Sequence, residues 1–158
     1  MLYDLRKLLL EHFELPADGP HGPAHWMRVR TNGLLLAPET GANTTVVELF
    51  ALFHDVCRQR PGIDPGHGER AASLVEQLYR EGHFHVDAQA LRQLTLACRE
   101  HIASQACEDM TVLTCWDADC LDLPRLGIDP DPAQLHTGAA RDPQFMRAAR
   151  ARALERHW

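Results

Sequence analysis

Residues 44–55 read TTVVELFALFHD, which is the most hydrophobic run in the chain and ends on an adjacent histidine and aspartate. Within and just after it, Val46, Phe50, Phe53 and Cys57 follow one another at spacings of four, three and four residues. This spacing is typical of one face of an α-helix, although the β-branched start alone would also suit a strand. Apolar side chains occupy nearly the whole circumference of this helix, so we predict that it is the buried centre of the fold.

The same helical period recurs on both sides of this segment, and loops rich in Gly, Pro or Asp separate the helices. No sustained alternation of period two indicates a sheet. We therefore predict an all-α fold, a compact bundle of about six or seven helices. Besides the central helix, the predicted helices cover residues 2–13, 24–37 (ended by Pro38), 69–81, 87–104, 109–120 and 143–156.

The length of 158 residues suits one domain, and no linker or repeat divides the chain, so we predict a single domain over 1–158. A composition of 45% hydrophobic and 24% charged residues excludes disordered, collagen-like and coiled-coil classes. No apolar stretch approaches the roughly 18 residues of a membrane helix, and no secretory signal is recognisable. These features predict a cytoplasmic protein without a membrane partner.

The formal charge of −6 argues against a nucleic-acid polymer as partner, because such binding depends on clustered basic residues. Fifteen of the sixteen basic residues are arginines, so arginine or a metal must supply positive charge to any anionic substrate. The five cysteines are an odd number without a CxxC pair, which favours reduced thiols over a disulfide framework.

Ten histidines are available, and the pair His54–Asp55 is the clearest candidate among them for chemistry. A carboxylate at the end of such a hydrophobic segment is costly unless it is paired or coordinated, although Asp55 could simply pair with Arg58. His25 opens the second predicted helix, and Asp117 ends the apolar run before it. Each of these residues alone has a structural explanation, as a satisfied histidine or a surface charge.

Taken together, a histidine, a later His–Asp pair and a distant aspartate resemble the HD-domain superfamily of metal-dependent phosphohydrolases. The resemblance extends over about residues 20–127, and HGPAHW (21–26), LFALFHD (49–55) and CWDADCLDL (115–123) carry it. It is similar in particular to a bacterial subgroup with motifs of this kind, for which it implies no settled substrate. Residues 128–158 then form an arginine-rich helical extension at the C-terminus.

The resemblance implies a metal site in the core of an HD-type bundle, with His25, His54, Asp55 and Asp117 as ligands. Two imidazoles and two carboxylates form a mixed nitrogen and oxygen set. Such a set suits a divalent ion such as Mn, Co, Fe, Ni, Zn or Mg.

Two further histidines, His67 and His101, lie on inward-facing apolar stripes of their helices. They occupy the stretch in which binuclear members of the superfamily have additional metal ligands. The resemblance therefore implies a second metal at these residues. The alternative is that they hydrogen-bond the ligands of a single metal or the substrate phosphate.

The implied function is hydrolysis of a phosphate ester of a small molecule, with a nucleotide among the candidates, by metal-activated water. Asp55 would orient that water or bridge two metals, and His101, His67 or His21 would donate a proton to the leaving oxygen. Arg58 is expected near the same end of the central helix as Asp55, where it could clamp the phosphate.

Arg28 and His21 are the other residues expected at the substrate phosphate, His21 at the mouth of the cleft. A solvated helix face is predicted for the C-terminal arginines, which are Arg141, Arg147, Arg150, Arg152 and Arg156. The expected partner is a small phosphorylated substrate, and exposed apolar helix faces could also pair two copies as a homodimer.

Two other functions share the fold. One is a noncatalytic HD-fold module that binds a nucleotide and acts in regulation, and the other is a di-iron HD-like oxygenase. The presence of all four ligand residues argues against a degenerate module, whereas two irons and oxygen dependence would favour the oxygenase.

Overall fold

The structure, a computed structural model, describes residues 2–103 and 106–155, and these residues contain helices and no strand. The predicted all-α fold is confirmed. The α-helices are α1 (Leu2–His12), α2 (Pro23–Thr40), α3 (Thr44–Phe53), α4 (His67–Arg80), α5 (Ala88–Glu100), α6 (Met110–Cys120), α7 (Gly138–Arg141) and α8 (Pro143–Leu154). Two 3-10 helices, Leu123–Leu126 and Pro132–Gln134, lie between α6 and α7.

Two predicted helix ends are wrong. Helix α2 continues through Pro38 to Thr40, because a proline in the last turn removes only one donor and Gly41, at φ 74°, closes the helix by donating to Ala37 O. Helix α5 ends at Glu100, whereas the predicted end at 104 lies outside the described residues. The same holds for position 156, the predicted end of the last helix.

Helix α3 is the buried centre of the bundle, as its sequence predicts. Val46, Leu49, Phe50 and Phe53 are fully buried, and α2, α5 and α6 pack around them. The helix begins at the Asn43 cap, whose side chain accepts hydrogen bonds from the first turn. Burial on all sides fixes the end of α3, and with it the His–Asp pair that follows.

Helices α4 and α5 approach each other closely at one end, where Gly68 lies against the last turn of α5. A Cβ at Gly68 would lie 2.6 Å from Arg99 O and 2.8 Å from Cys98 O. This contact therefore requires glycine. It brings the N-terminal end of α4, which carries His67, next to the C-terminal end of α5, which His101 follows.

The C-terminal segment packs onto the bundle through a small apolar cluster of its own. Leu135, Ala140 and Ala149 pack there against Leu36 of α2 and Leu121, which follows α6. The segment therefore stands beside the end of α6. Within residues 2–103 and 106–155, no helix combines the length and the apolar character needed to span a membrane.

Candidate metal centre

The first group of metal-ligating side chains, called site A below, consists of His25, His54 and Asp119. They come from the first turn of α2, the residue that ends α3 and the last turn of α6. The Nε2 atoms of His25 and His54 are 3.0 Å apart. Asp119 Oδ1 lies 3.3 Å from the first of these nitrogens and 3.6 Å from the second. Three helices thus bring three ligand atoms to one point.

The second group, called site B, consists of Asp55, His67 and His101. The Nε2 atoms of the two histidines are 2.9 Å apart. Asp55 Oδ1 lies 3.1 Å from Nε2 of His67 and 3.6 Å from Nε2 of His101. From the sequence, His67 and His101 could either bind a second metal or support the ligands of the first. In the structure, both converge on one carboxylate oxygen.

Asp55 lies between the two sites and faces both. Its Oδ1 belongs to site B, while its Oδ2 is 3.6 Å from Nε2 of His25 and 3.9 Å from Nε2 of His54 in site A. The side chain is buried. A carboxylate in this position can bridge two cations, one through each oxygen.

The histidines of site A are oriented by the hydrogen bonds of their other ring nitrogens. His25 Nδ1 faces Asp122 Oδ2 at 2.7 Å, and His54 Nδ1 faces the carbonyls of Phe50 and Ala51 at 3.2 and 3.1 Å. Because these oxygens only accept, Nδ1 is the nitrogen that carries the hydrogen when either ring is in its neutral, metal-binding form. The two Nε2 atoms then point lone pairs at each other, an arrangement that a cation between them would stabilise.

Site B repeats this arrangement with backbone oxygens. His67 Nδ1 lies 2.6 Å from Asp64 O, and His101 Nδ1 lies 2.7 Å from Cys98 O. When both rings are neutral, the Nε2 atoms of this pair therefore also face each other as acceptors. Two pairs of opposed acceptors around one carboxylate fit a metal at each site.

The electrostatics of the site keep its carboxylates charged. Burial alone would raise the pKa of Asp55, but His54 and the hydrogen bonds from His101, His21 and His67 hold it well below its usual value. Burial would likewise raise the pKa of Asp119, but the neighbouring histidines, His54 first, lower it far more. Two ionised carboxylates therefore stand among the imidazoles at neutral pH, as cation binding requires.

The imidazoles themselves differ in how they titrate. Burial lowers the pKa of His54 to about 3, despite the opposing effect of Asp55. Burial would also lower the pKa of His25 and His101, but the carboxylates beside them raise it above its ordinary value in both. Binding of a metal at these rings must displace protons.

Asp117, expected as a metal ligand, does not lie in either group. Its buried carboxylate accepts hydrogen bonds from the backbone N–H of His136 and of Thr137, both at 2.8 Å, and from Thr137 Oγ1 at 2.7 Å. Two residues along an α-helix turn a side chain by about 200°, so Asp117 and Asp119 point in nearly opposite directions. Asp119 is the one that faces His25 and His54.

Arg28 does not reach the expected phosphate position. Its Nε donates to Asp122 Oδ1 at 2.8 Å, while Oδ2 of the same carboxylate accepts from His25. Arg28 and Asp122 are both buried behind the His25 ring. The sequence analysis did not single out Asp122, although it belongs to the same DADCLD segment as Asp119.

Arg58 and His21, both expected at the substrate phosphate, contact Asp55. Arg58 Nε donates to Asp55 Oδ1 at 3.0 Å. His21 has Nδ1 3.0 Å from Asp55 Oδ2 and Nε2 2.9 Å from Pro61 O, so both of its ring nitrogens face oxygen acceptors. The ring therefore connects the carboxylate of Asp55 to the backbone of the loop after α3.

A cavity of about 630 Å³ opens onto Asp55, His67, His101 and Asp119. Its other walls come from the end of α6 and from the C-terminal segment. The lining residues outside the two sites include His21, Arg58, Arg125, His136, Arg141, Ile102, Trp116, Leu123, Leu126 and Leu135. Sequence analysis placed Arg141 on a solvated helix face and did not single out Arg125 or His136. Arg141 is exposed, but it stands at the cavity.

Neither a protein-family model nor a curated protein sequence matches this chain. Among solved structures, the chain is similar to a predicted HD superfamily hydrolase from an uncultured Thermotogales bacterium, with a TM-score of 0.71 and 22% sequence identity. The similarity covers 94% of this chain and 84% of that one. The fold is thus of the HD type, and the expectation that the resemblance raised for the fold is confirmed.

Proposed function

We propose that the chain is a metal-dependent phosphohydrolase that cleaves the phosphate ester of a small molecule, with one divalent ion at site A and one at site B. The observation that carries this proposal is the pair of opposed Nε2 contacts, 3.0 Å and 2.9 Å, on either side of Asp55. The HD-type fold supports it. When bound, such ions would lower the pKa of a water ligand and polarise a phosphoryl oxygen.

The ligand chemistry narrows the metal to borderline or hard divalent ions. Four imidazole nitrogens and two carboxylates form the two donor sets, and no cysteine belongs to either. Mn, Fe, Co, Ni and Zn suit such a mixture, with Mg favoured less because it prefers oxygen ligands. Asp55 would contact both ions, so occupancy of one site would affect the other.

The residues around the sites would bind and orient the phosphate. Arg58 lines the cavity with its Nε held by Asp55 and its Nη1 by Gly62 O, so Nη2 can face a phosphate oxygen. His21 would hold the second oxygen of Asp55 in place through its contact at Nδ1. His101, expected as a proton donor, is assigned here as a ligand, because Nδ1 donates to Cys98 O and Nε2 faces site B.

The proposal is tested by phosphate release from p-nitrophenyl phosphate and from a panel of nucleoside and sugar monophosphates. Chelation should abolish turnover, and Mn should restore it. Asp55→Asn should lower kcat/KM about 1,000-fold or more, because it disturbs both sites at once. The matched control is Asp129→Asn, an exposed acid outside the cavity, which should keep wild-type activity. Turnover that survives chelation would refute the proposal.

The same two sites would also suit a di-iron oxygenase, which is the second candidate because Asp55 can bridge two irons. Aerobic and anaerobic incubations of the iron-loaded protein separate the two functions. Oxygen consumption without phosphate release would favour the oxygenase. Intact ligand sets at both sites argue against a noncatalytic module.

A further inference from the structure

The cavity has a second polar region, on the wall formed by residues 133–141, which we call the C-terminal wall. Asp117 attaches this wall to α6. Its carboxylate accepts hydrogen bonds from the backbone N–H of His136 and of Thr137. It also faces His136 Nδ1 at 3.1 Å. The helix that carries the ligand Asp119 thus also fixes the opposite side of the cavity.

His136 is held so that its other ring nitrogen is left for a ligand. The ring lies against Trp116, with centroids 5.6 Å apart. Its Nε2 has no hydrogen-bond partner in residues 2–103 and 106–155. Trp116 and Asp119 are three residues apart on α6, so they share a face and are about 4.5 Å apart along the axis. His136 and Asp119 therefore line the same cavity.

Arg141 brings an uncompensated charge to the same wall. Its Nε donates to Leu135 O at 2.9 Å, which holds the guanidinium at the cavity. Of the other two arginines that line the cavity, Arg58 pairs with Asp55 at 3.0 Å and Arg125 lies 3.7 Å from Asp122. Among the described residues, no carboxylate lies within ion-pair distance of Arg141.

From this arrangement we infer that the substrate carries a second anionic group, remote from the scissile phosphate, which Arg141 binds. His136 Nε2 hydrogen-bonds the same end of the substrate. Apolar side chains of the cavity, among them Leu123 and Leu126, suit the carbon skeleton between the two anions. The inference rests on the proposed function and narrows its substrates to phosphomonoesters with a second phosphate or a carboxylate.

Two pairs of ligands test the inference, because the members of each pair differ in the second anion alone. The first pair, 3-phosphoglycerate and glycerol 3-phosphate, tests a carboxylate. The second pair, adenosine 3′,5′-bisphosphate and adenosine 5′-monophosphate, tests a phosphate. Calorimetric Kd values are measured with the Mn-loaded protein, and KM replaces Kd for any ligand that is hydrolysed.

In the wild type, the ligand with two anionic groups should bind about 10-fold more tightly than its partner with one, in at least one pair. Arg141→Gln should reduce that preference to within about twofold. The affinity for the ligand with one anionic group should be unchanged. The matched control is Arg150→Gln, an exposed arginine of α8 that pairs with Asp129, and it should keep the preference. His136→Gln should weaken the doubly anionic ligand less than Arg141→Gln.

Equal affinity within both pairs in the wild type would overturn the inference, as would an equal effect of Arg141→Gln on both members. Failure of the proposed function looks different. If no phosphate ester is hydrolysed but the preference depends on Arg141, the hydrolase proposal fails and the binding site for a doubly anionic ligand stands.

Discussion

Site A and site B use the same kinds of ligand but hold them differently. In site A, His25 donates to the carboxylate of Asp122, which Arg28 fixes in turn. In site B, both histidines donate to backbone carbonyls, at Asp64 and Cys98. A carboxylate behind a ligating imidazole raises its basicity more than a neutral carbonyl does. We therefore expect site A to bind its ion more tightly than site B.

The largest effect on metal content and activity is expected from the variants that distinguish Asp119 from Asp117 as the metal ligand. Asp119→Ala removes the carboxylate of site A, so it should eliminate one bound ion per chain and lower kcat about 1,000-fold. Asp117→Ala should keep both ions, because its carboxylate holds the C-terminal wall. Elemental analysis and steady-state kinetics of both variants check this. Retention of both ions by Asp119→Ala would return the ligand role to Asp117.

The next effect concerns the support behind His25. Asp122→Asn keeps the shape of the side chain but removes the charge that His25 and Arg28 share. The affinity of the tighter ion should fall about 10- to 100-fold, whereas the weaker ion should be unaffected. Competition with a chromogenic chelator measures both constants. A loss of affinity at both sites alike would mean that the difference between the sites does not lie in Asp122.

The sequence predicts the His54–Asp55 pair better than the histidines of site B for a physical reason. His54 and Asp55 end a helix whose burial on all sides is visible in its composition, so their orientation towards the core follows from local pattern. Site B depends on the close approach of α4 and α5 at Gly68, which is a long-range contact. A histidine on an apolar stripe is compatible with that contact but does not require it.

Two other parts of the site could not be derived from local pattern. The segment DADCLD offers several carboxylates, and the rotation of α6 against α2 and α3 decides which of them faces the histidines. Arg141 reaches the cavity because Leu135 and Ala140 pack against α2, far away in the sequence. In the sequence, Arg141 looks like any other arginine of the solvated C-terminal segment.

The smallest effect is expected at the loop that supports site B. Burial would raise the pKa of Asp64, but hydrogen bonds from Arg70 and the Gln59 N–H lower it to about 2. The folded pKa lies below the ordinary value of 3.8. The carboxylate therefore stabilises the fold fully above about pH 4, and this contribution is lost as the pH falls from about 4 to about 2.

Asp64→Asn should consequently lower the free energy of unfolding by about 1 kcal/mol at pH 6, a modest figure because Arg70 is partly exposed. The difference from the wild type should shrink towards pH 2. Urea unfolding of the metal-free proteins at pH 6, 4 and 3 measures it. A difference that stays constant over this range would show that the charge of Asp64 does not support the loop.

The central claim is that two metal ions bind side by side with Asp55 between them. Elemental analysis of the wild-type protein, stripped with chelator, reloaded with Mn and dialysed, tests it most directly. We expect about two Mn per chain, released in two steps as chelator is added, with site B emptied first. One Mn per chain at saturation, or none, would contradict it.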